Sequence, residues 1–354
     1  RCKSMNKARL GIVSLSTIVS ASLFLGGCSS ANENTDTVDG DVRIVRVAHN
    51  QSATHPTNIG LLAFEEYIEE NLGDKYDVQI YPNELLGSQV NTVELTQTGA
   101  VDFSVASNAI LESFDNIYSI FNLPYLFESP EQYHAVMDNS DIIEPIFTST
   151  AKSGFEAVTW LDAGTRSFYT VDKPIETPDD LKGLKIRVQQ SATNVRMMQL
   201  LGGSAAPMGF GEVYTALQSN VIDGAENNEL ALTNNLHGEV AKYYSYNMHQ
   251  MVPDIVIGNL KFLDGLSEEE REIFNEGFAV LSKVERESWN AAVEDAKAKA
   301  TEMGVQFTYP DIEPFKEKVL PLHEEVLTSN PKLRPIYEAI QEVEYEFADS
   351  SKGE

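Results

Sequence analysis

Segments with the pattern of strands and segments with the pattern of helices alternate along the chain in two separate series. The first series runs strand, helix, strand, helix, strand over residues 42–48, 57–72, 77–82, 90–98 and 101–105. The second begins near Trp160, with a short helix after Thr177, a strand at 184–188, a helix ending at Leu201, a helix at 211–217 and a short strand at 221–222. Such alternation predicts mainly parallel sheets flanked by helices. We therefore expect an α/β fold with two similar lobes.

The last third of the chain predicts one long helix. Ser267 and Glu270 have the spacing of a capping box at its start, and Gly304 follows its expected last residue, Met303. The apolar stripe of this helix contains Ile273, Phe274, Phe278, Leu281, Val284 and Val293. A helix of about 36 residues is roughly 54 Å long, too long to be buried in one lobe, so we expect it to span both. A coiled-coil partner is the alternative, although no heptad is kept strictly.

The first residues have the features of a secretory signal. Lys7 and Arg9 precede an uncharged, largely apolar stretch over residues 10–25, and small residues follow it. The stretch is too short and too rich in serine for a membrane span. We expect residues 1–27 to be a signal peptide, in which the four residues before Met5 are a start-site artefact.

A possible lipid-attachment site follows the signal. The sequence Leu25-Gly26-Gly27-Cys28 resembles the lipobox of bacterial lipoproteins, in which the cysteine becomes the first residue and carries acyl chains. An ordinary signal peptide with a chance cysteine is the alternative. Residues 28–41 are polar and rich in turn formers, which predicts a flexible tether between the lipid and the fold. The chain is therefore predicted to be exported and anchored at the outer face of the bacterial cell membrane.

Cysteine usage excludes an internal disulfide from the mature chain. Only Cys2 and Cys28 occur, and Cys2 lies in the segment that is expected to be removed. The folded part must be held together by its core, despite its oxidising destination.

The chain is strongly acidic, with a formal net charge of -28 at pH 7. Removing residues 1–27 takes away four basic residues and no acidic one, which leaves -32. This charge repels nucleic acid and anionic headgroups, so we exclude binding to either. It also repels an anionic small molecule at long range. Any anion site must therefore depend on a few local cations.

The sequence lacks the motifs of common enzyme classes. It contains no Gly-x-Ser-x-Gly, no His-Glu-x-x-His and no P-loop, and Gly209-Phe210-Gly211 lacks the third glycine of a dinucleotide fingerprint. The six histidines are scattered along the chain. We predict a protein that is not an enzyme and that has no catalytic residue, metal ion or cofactor.

Two arginines are candidates for binding an anion. Arg187 lies near the end of the predicted strand 184–188, and open α/β sheets bind ligands at the carboxyl ends of parallel strands. A guanidinium there can hold a carboxylate through two parallel hydrogen bonds. Arg166 lies at the expected boundary between the lobes. An ion pair with a protein carboxylate is the alternative for each arginine, and the pattern alone does not decide between them.

Several longer motifs occur in an order that matches one protein family. They are Tyr81-Pro82 with Leu86-Gly87, NLPYLF at 122–127, PDDLKGLKIRV at 178–188, PMGFGEVYTALQ at 207–218 and VIDGAENN at 221–228. On these motifs the chain resembles the substrate-binding subunits of tripartite ATP-independent periplasmic (TRAP) transporters, the DctP family, over nearly all of its mature length. The resemblance implies a two-lobed clamp of the periplasmic-binding-protein type, with a long helix across both lobes.

The resemblance also implies the ligand-binding residues. Arg187 matches the family's carboxylate-binding arginine, Arg166 a second arginine on the same acid group, and Asn227 an asparagine that accompanies them. Phe210 matches an aromatic residue in the cleft, for which an ordinary core position is the alternative. The further matches to ligand-facing positions are Asn50, Asn108 and Gln190. His249 is expected to pair with Glu226 near the cleft, with a structural histidine as the alternative.

The same resemblance indicates a class of ligand. Asn227-Asn228 and the segment 249–254 resemble the branch associated with sugar acids such as glucuronate or galacturonate. The polar candidates that fit a polyhydroxylated ligand are Asn50, His55, Gln89, Asn108, Gln190 and Asn228. Each of these is alternatively an ordinary loop residue. Ser107 replaces an acid found in sialic-acid binders, which counts against sialate, whereas C4-dicarboxylates and other carboxylates stay open.

These features predict a transport protein. A hexuronate enters an open cleft, Arg187 and Arg166 bind its carboxylate, and the closed form docks on small and large membrane permease subunits that, by resemblance, use a sodium gradient. One lobe is expected over residues 42–163 and 253–292, the other over 164–252 and 293–354. A secreted enzyme acting on sugar acids and a sensing lipoprotein are the alternatives from other classes.

Overall fold

The computed structural model describes residues 37–38 and 42–346. The predicted signal peptide and Cys28 lie outside the described residues. Within the predicted tether, Thr37–Val38 forms a two-residue strand, β1, that pairs antiparallel with Val42–Ala48, β2. These two residues therefore differ from the flexible tether expected over 28–41.

The remaining strands complete two six-stranded sheets. They are β3 Tyr76–Tyr81, β4 Phe103–Ser107, β5 Phe155–Leu161, β6 Arg166–Thr170, β7 Lys185–Val188, β8 Ser204–Pro207, β9 Gly224–Asn227, β10 Tyr243–Gln250, β11 Asp254–Asn259 and β12 Gln306–Thr308. The first sheet has the order β1-β2-β4-β11-β5, with β3 also paired to β2. The second has the order β12-β10-β6-β9-β7-β8.

The predicted α/β fold is present, and both of its sheets are mixed, with antiparallel strands beside the expected parallel ones. In the first sheet β2, β3 and β4 are parallel, but β11 is antiparallel to both of its neighbours. In the second, β7, β8 and β9 are parallel, but β6 is antiparallel to both β9 and β10. The parallel strands are joined by helices, as parallel pairing requires. The antiparallel strands instead carry the chain from one sheet to the other.

The helices occupy the segments between these strands. They are α1 Pro56–Leu72, α2 Gln89–Thr98, α3 Asn108–Leu111, α4 Pro130–Met137, α5 Ser140–Phe147, α6 Ala192–Leu201, α7 Val213–Gln218, α8 Leu230–Asn234, α9 Leu260–Gly265, α10 Glu268–Glu302, α11 Glu313–Val319, α12 Pro321–Ser329 and α13 Arg334–Glu342. Short 3₁₀ helices lie at Asn116–Asn122, Ala151–Ser153, Pro178–Leu181, Phe210–Glu212, His237–Glu239 and Pro331–Leu333. The predicted strand at 221–222 is wrong: these residues follow Asn220, whose φ is 56°, and the strand begins at Gly224.

The predicted long helix is present as α10, with 35 residues. Its capping box is formed, since Ser267 Oγ accepts a hydrogen bond from Glu270 N at 3.2 Å and a Glu270 carboxylate oxygen accepts one from Ser267 N at 2.8 Å. Near its start, Phe278 stacks on Phe64 of α1 at 5.0 Å, in the core beside the first sheet. Near its end, Ala300 packs in the core beside the second sheet. The prediction that it spans both is confirmed. Within the described residues, no helix has the length and apolar character needed to cross a membrane.

Two short segments carry the chain between the sheets. Residues 162–165 join β5 to β6, and residues 251–253 join β10 to β11. In the first, Gly164 has φ +60°, and a Cβ there would lie 2.9 Å from the Trp289 ring of α10, so only glycine fits. The predicted lobe limits stay a prediction, and β1 of the first sheet lies before the expected start of the first lobe at residue 42. These crossings place a cavity between the sheets.

Candidate functional site

The cavity lies where strands of both sheets end, and polar side chains dominate its lining. It is lined by Asn50, Gln51, Gln89, Ser107, Ile110, Ala163, Arg166, Arg187, Gln189, Gln190, Gly209, Phe210, Asn227, Asn228 and Asp254. Open α/β sheets place ligand sites at the carboxyl ends of parallel strands. Asn50 follows β2, Ser107 ends β4, Gln189 follows β7 and Asn227 ends β9, so the parallel parts of both sheets contribute to the lining.

Arg187 is a buried cation in this cavity. Its neighbours on β7, Ile186 and Val188, are fully buried in the core, so the alternation of the strand directs Arg187 to the opposite side. The side chain is only 3% exposed, and its Nε and Nη2 donate to the Met208 carbonyl at 3.1 and 2.9 Å. Among the described residues, no carboxylate oxygen lies within 4.0 Å of it, and burial lowers its pKa. Its charge is therefore available to an anionic ligand.

Arg166, in contrast, is already paired with a protein carboxylate. Its Nε and Nη2 donate to the two carboxylate oxygens of Glu226 at 2.5 and 3.0 Å, and its Nη1 donates to Asn227 Oδ1 at 2.9 Å. Burial opposes ionisation of Glu226, but Arg166 and then His249 outweigh it and lower the Glu226 pKa to about 2. Arg166 lines the cavity, and its charge is balanced by an ion pair with Glu226, which was the alternative interpretation for this arginine.

The expected pairing of His249 with Glu226 is present. His249 Nε2 lies 3.4 Å from Glu226 Oε2, and both side chains are inaccessible to solvent. The imidazole stacks on Phe168 at 4.7 Å, and burial lowers its pKa. His249 is not among the residues that line the cavity, and its role in ligand binding stays a prediction. It lies behind the Arg166–Glu226 pair and supports it.

Two other predicted ligand residues make contacts within the protein. His55 caps α1, with its Nδ1 accepting from Thr57 N at 3.2 Å, and its ring packs edge-on against Trp289. Asn108 is buried at the start of α3, where its Nδ2 donates to the Tyr118 carbonyl and to Asn122 Oδ1, both at 2.8 Å. Neither lines the cavity. Both follow strands of the first sheet, but each side chain points into the protein to satisfy nearby backbone or amide groups.

The remaining predicted residues do line the cavity. Asn50 Oδ1 is buried and has no hydrogen-bond partner among the described residues. Gln89 Oε1 accepts from Ser107 N at 3.2 Å, and Asn228 Nδ2 donates to the Ala163 carbonyl at 3.0 Å. The others are Gln190, Phe210 and Asn227. The ring of Phe210 lies 5.7 Å from the Arg187 guanidinium, close enough for a cation–π contact.

Sequence reasoning missed several polar residues of the lining, among them Gln51, Gln189 and Asp254. Gln189 Nε2 donates to Ser107 Oγ at 2.7 Å, which connects β7 of the second sheet to β4 of the first. Asp254 is 7% exposed, and burial raises its pKa to about 6. A signal for Asp254 was available, because it is the one acid in the otherwise uncharged strand Asp254–Asn259.

A profile of the DctP family, described as bacterial extracellular solute-binding protein family 7, matches residues 47–330 of this chain. The chain belongs to this family. One solved structure with the same architecture is a TRAP periplasmic solute-binding protein from Anaerococcus prevotii with bound α/β D-glucuronate. It is 67% identical with a TM-score of 0.84, over 85% of this chain and 97% of that one.

Two further relatives support the assignment to the DctP family. A TRAP solute-binding protein from Xanthobacter autotrophicus Py2, solved with β-D-galacturonate, is 34% identical with a TM-score of 0.81, over 85% of this chain and all of that one. The uncharacterized protein YiiZ of Salmonella typhimurium is 40% identical over 84% of this chain and 91% of its own length. The predicted family, its clamp architecture and its solute-binding role are thus confirmed for this DctP-family protein.

Proposed function

We propose that this protein binds a hexuronate, with the ligand carboxylate on Arg187 and the sugar hydroxyls on the amides around it. The observation that carries the proposal is the Arg187 guanidinium, which is buried beside the cavity and has no carboxylate oxygen of the described residues within 4.0 Å. A guanidinium in such a site gains two charge-assisted hydrogen bonds from a carboxylate. The relatives solved with glucuronate and galacturonate support this ligand class.

Arg166 contributes to the site mainly through position. Glu226 balances the charge of Arg166. Arg166 donates a hydrogen bond to Asn227 through Nη1 and forms a polar part of the cavity lining beside Arg187. A ligand carboxylate that reached Arg166 would compete with Glu226. Arg187 is therefore the principal anion-binding residue, and Arg166 and Asn227 support it.

The described form is closed, since side chains on both sides of the cavity are almost inaccessible. Arg187 of the second sheet and Asp254 of the first are 3% and 7% exposed. A ligand can reach them only if the two sheets move apart. Closure then follows from tighter contact with ligand in the closed form, as in other hinged clamps.

The rest of the proposal concerns delivery of the ligand. On the basis of its family, we expect the closed protein to deliver its ligand to small and large TRAP permease subunits. An acyl chain on Cys28 would keep it at the outer face of the cell membrane, and Cys28→Ser should then release it into the medium. The protein performs no chemistry on the sugar, so glucuronate incubated with it should be recovered unchanged.

A thermal-shift screen tests the ligand class. The ligands are D-glucuronate, D-galacturonate, D-gluconate, N-acetylneuraminate and succinate, with neutral D-glucose as the control that lacks a carboxylate. A uronate at about 100 times its Kd should raise the Tm by about 5 °C or more, and glucose should leave it unchanged. A shift with succinate and none with either uronate would overturn the proposal in favour of C4-dicarboxylates.

A further inference from the structure

Asp254 occupies a defined place in the wall of the cavity. It is the first residue of β11, where the strand register sets it opposite Ser107 of β4 on one side and Leu161 of β5 on the other. Because both neighbouring strands are hydrogen-bonded to β11, the backbone at this position is held on both sides. The side chain is more than nine-tenths buried and lines the same cavity as Arg187.

The Asp254 carboxylate has no donor of its own. None of the described residues donates a hydrogen bond to it or forms an ion pair with it. Burial raises its pKa to about 6, and the charge of Arg166 lowers it only in part, since Arg166 is paired with Glu226. At pH 7.5 the group is therefore ionised, buried and without a hydrogen bond, which is costly for a carboxylate unless a ligand supplies donors.

A second acceptor lies on the same side of the cavity. Asn50 Oδ1, which follows β2 of the first sheet, is buried without a donor among the described residues. Two acceptor side chains on the side of the first sheet thus lack donors among the described residues, whereas the second sheet presents Arg187, which has no described carboxylate oxygen within 4.0 Å. The two sides of the cavity therefore require different groups of one ligand: a carboxylate at Arg187 and hydroxyl donors at Asp254 and Asn50.

Other carboxylates near Asp254 do not share this position. Glu285 of α10 is fully buried, burial raises its pKa well above the ordinary value, and its carboxylate accepts a hydrogen bond from Asp162 N at 3.2 Å. Asp162 accepts hydrogen bonds from Gly164 N at 2.8 Å and pairs with His134 at 2.6 Å. Neither lines the cavity, and among the described lining residues Asp254 is the single acid.

We infer that Asp254 determines specificity by accepting hydrogen bonds from hydroxyl groups of the bound acid and by rejecting ligands that carry a second carboxylate at that end. The inference rests on the proposed function and narrows its substrate class to monocarboxylate sugar acids. A dicarboxylate would place a second negative charge against Asp254, and like charges brought together in a buried site cost several kcal/mol.

Calorimetry at pH 7.5 with D-glucuronate and D-glucarate tests this inference. D-Glucarate has the same six carbons with a second carboxylate in place of the aldehyde carbon. Wild-type protein should prefer glucuronate by about 100-fold or more. In Asp254→Asn the ratio of the glucarate Kd to the glucuronate Kd should fall at least tenfold, because the asparagine amide keeps a hydrogen-bond acceptor but has no negative charge.

Asp102→Asn is the matched control, since Asp102 is equally buried beside the first sheet but pairs with Arg43 outside the cavity. It should leave the preference unchanged. An unchanged preference in folded Asp254→Asn overturns the inference alone. If that variant does not fold, wild-type binding of glucarate within tenfold of glucuronate overturns it as well. Wild-type protein that binds neither uronate nor glucarate instead overturns the proposed function.

Discussion

Arg187 and Arg166 are equally buried, yet they differ in what balances their charge. Glu226 receives two hydrogen bonds from Arg166, whereas Arg187 donates only to a backbone carbonyl. Removing a partner from a buried ion pair is strongly destabilising, but removing a lone buried charge relieves a cost. The two arginines should therefore respond in opposite ways to substitution.

Arg187→Ala should weaken glucuronate binding by about 100-fold or more, since a ligand carboxylate would lose its charge-assisted hydrogen bonds in a closed cavity. The Tm of the ligand-free protein should stay the same or rise, because a buried charge without a partner is removed. Calorimetry and thermal melts measure the two effects. Arg187→Lys is the control that keeps the charge and loses the planar fork, and its affinity should be intermediate. Near-normal affinity in Arg187→Ala would contradict the binding role.

Glu226→Gln should lower the free energy of unfolding by about 3–5 kcal/mol, since Arg166 would be left without its counter-charge. The folded-state pKa of Glu226, about 2, lies below its ordinary value of 4.5. Its stabilising effect is therefore complete above about pH 4.5 and is lost as the pH falls toward 2.

Urea denaturation at several pH values measures this loss, and the difference from wild type should narrow as the pH falls from about 4.5 toward 2. The control is Glu325→Gln, which breaks the solvent-exposed pair with Arg196 and should change stability little. A pH-independent difference would show that the Glu226 carboxylate does not act through its charge.

At the scale of elements, the start of α6 is held by a residue from elsewhere in the chain. Glu112, which follows α3, accepts hydrogen bonds from Ser191 Oγ at 2.5 Å, from Thr193 N at 3.1 Å and from Thr193 Oγ1 at 2.9 Å. A carboxylate at a helix N-terminus binds backbone donors that otherwise lack partners. This contact joins α6, which follows Arg187 in the chain, to the side of the first sheet.

Glu112→Ala should lower the free energy of unfolding by about 2–4 kcal/mol, since several buried donors lose their acceptor. Glu112→Gln retains one acceptor oxygen and should lose about half as much. Urea denaturation with far-UV circular dichroism detects both. Equal losses in the two variants would mean that the side-chain volume, and not the hydrogen bonds, matters at this position.

At the scale of the whole molecule, three connections join the two sheets: residues 162–165, residues 251–253 and the helix α10. The cavity lies between the sheets, and residues of both sheets contribute to its lining. The chain can therefore open by bending at these connections without breaking either sheet, and a ligand that contacts both sides favours the closed form.

Saturating D-glucuronate should reduce the radius of gyration measured by small-angle X-ray scattering by on the order of 1 Å, since closure brings two packed units together. D-Glucose should produce no change. The Arg187→Ala protein should remain open at the same glucuronate concentration. A wild-type radius that does not respond to a ligand whose binding calorimetry confirms would contradict closure.

Local pattern in the sequence was sufficient for most elements. The strand Val42–Ala48 and the long helix α10 follow from alternation, helical periodicity and a capping box, all of which depend on residues near in sequence. The sequence did not predict the antiparallel strands of the two mixed sheets, because strand direction depends on which strands pair, and β11 pairs with strands far from it in the chain. The motifs that identify the family predicted Arg187, Asn227 and Phe210 as cavity residues.

The sequence by itself determined the α/β class, the long helix, the family and the place of Arg187 on its strand. Only the tertiary structure decided which charges are balanced: Arg166 pairs with a glutamate sixty residues away, whereas in the described part of the chain Arg187 has no carboxylate partner and Asp254 faces the cavity without a donor. The physical reason is the separation in sequence over which each kind of interaction acts. Periodicity and capping act over a few residues, whereas the energy of a buried charge depends on groups that only folding brings within a few ångströms.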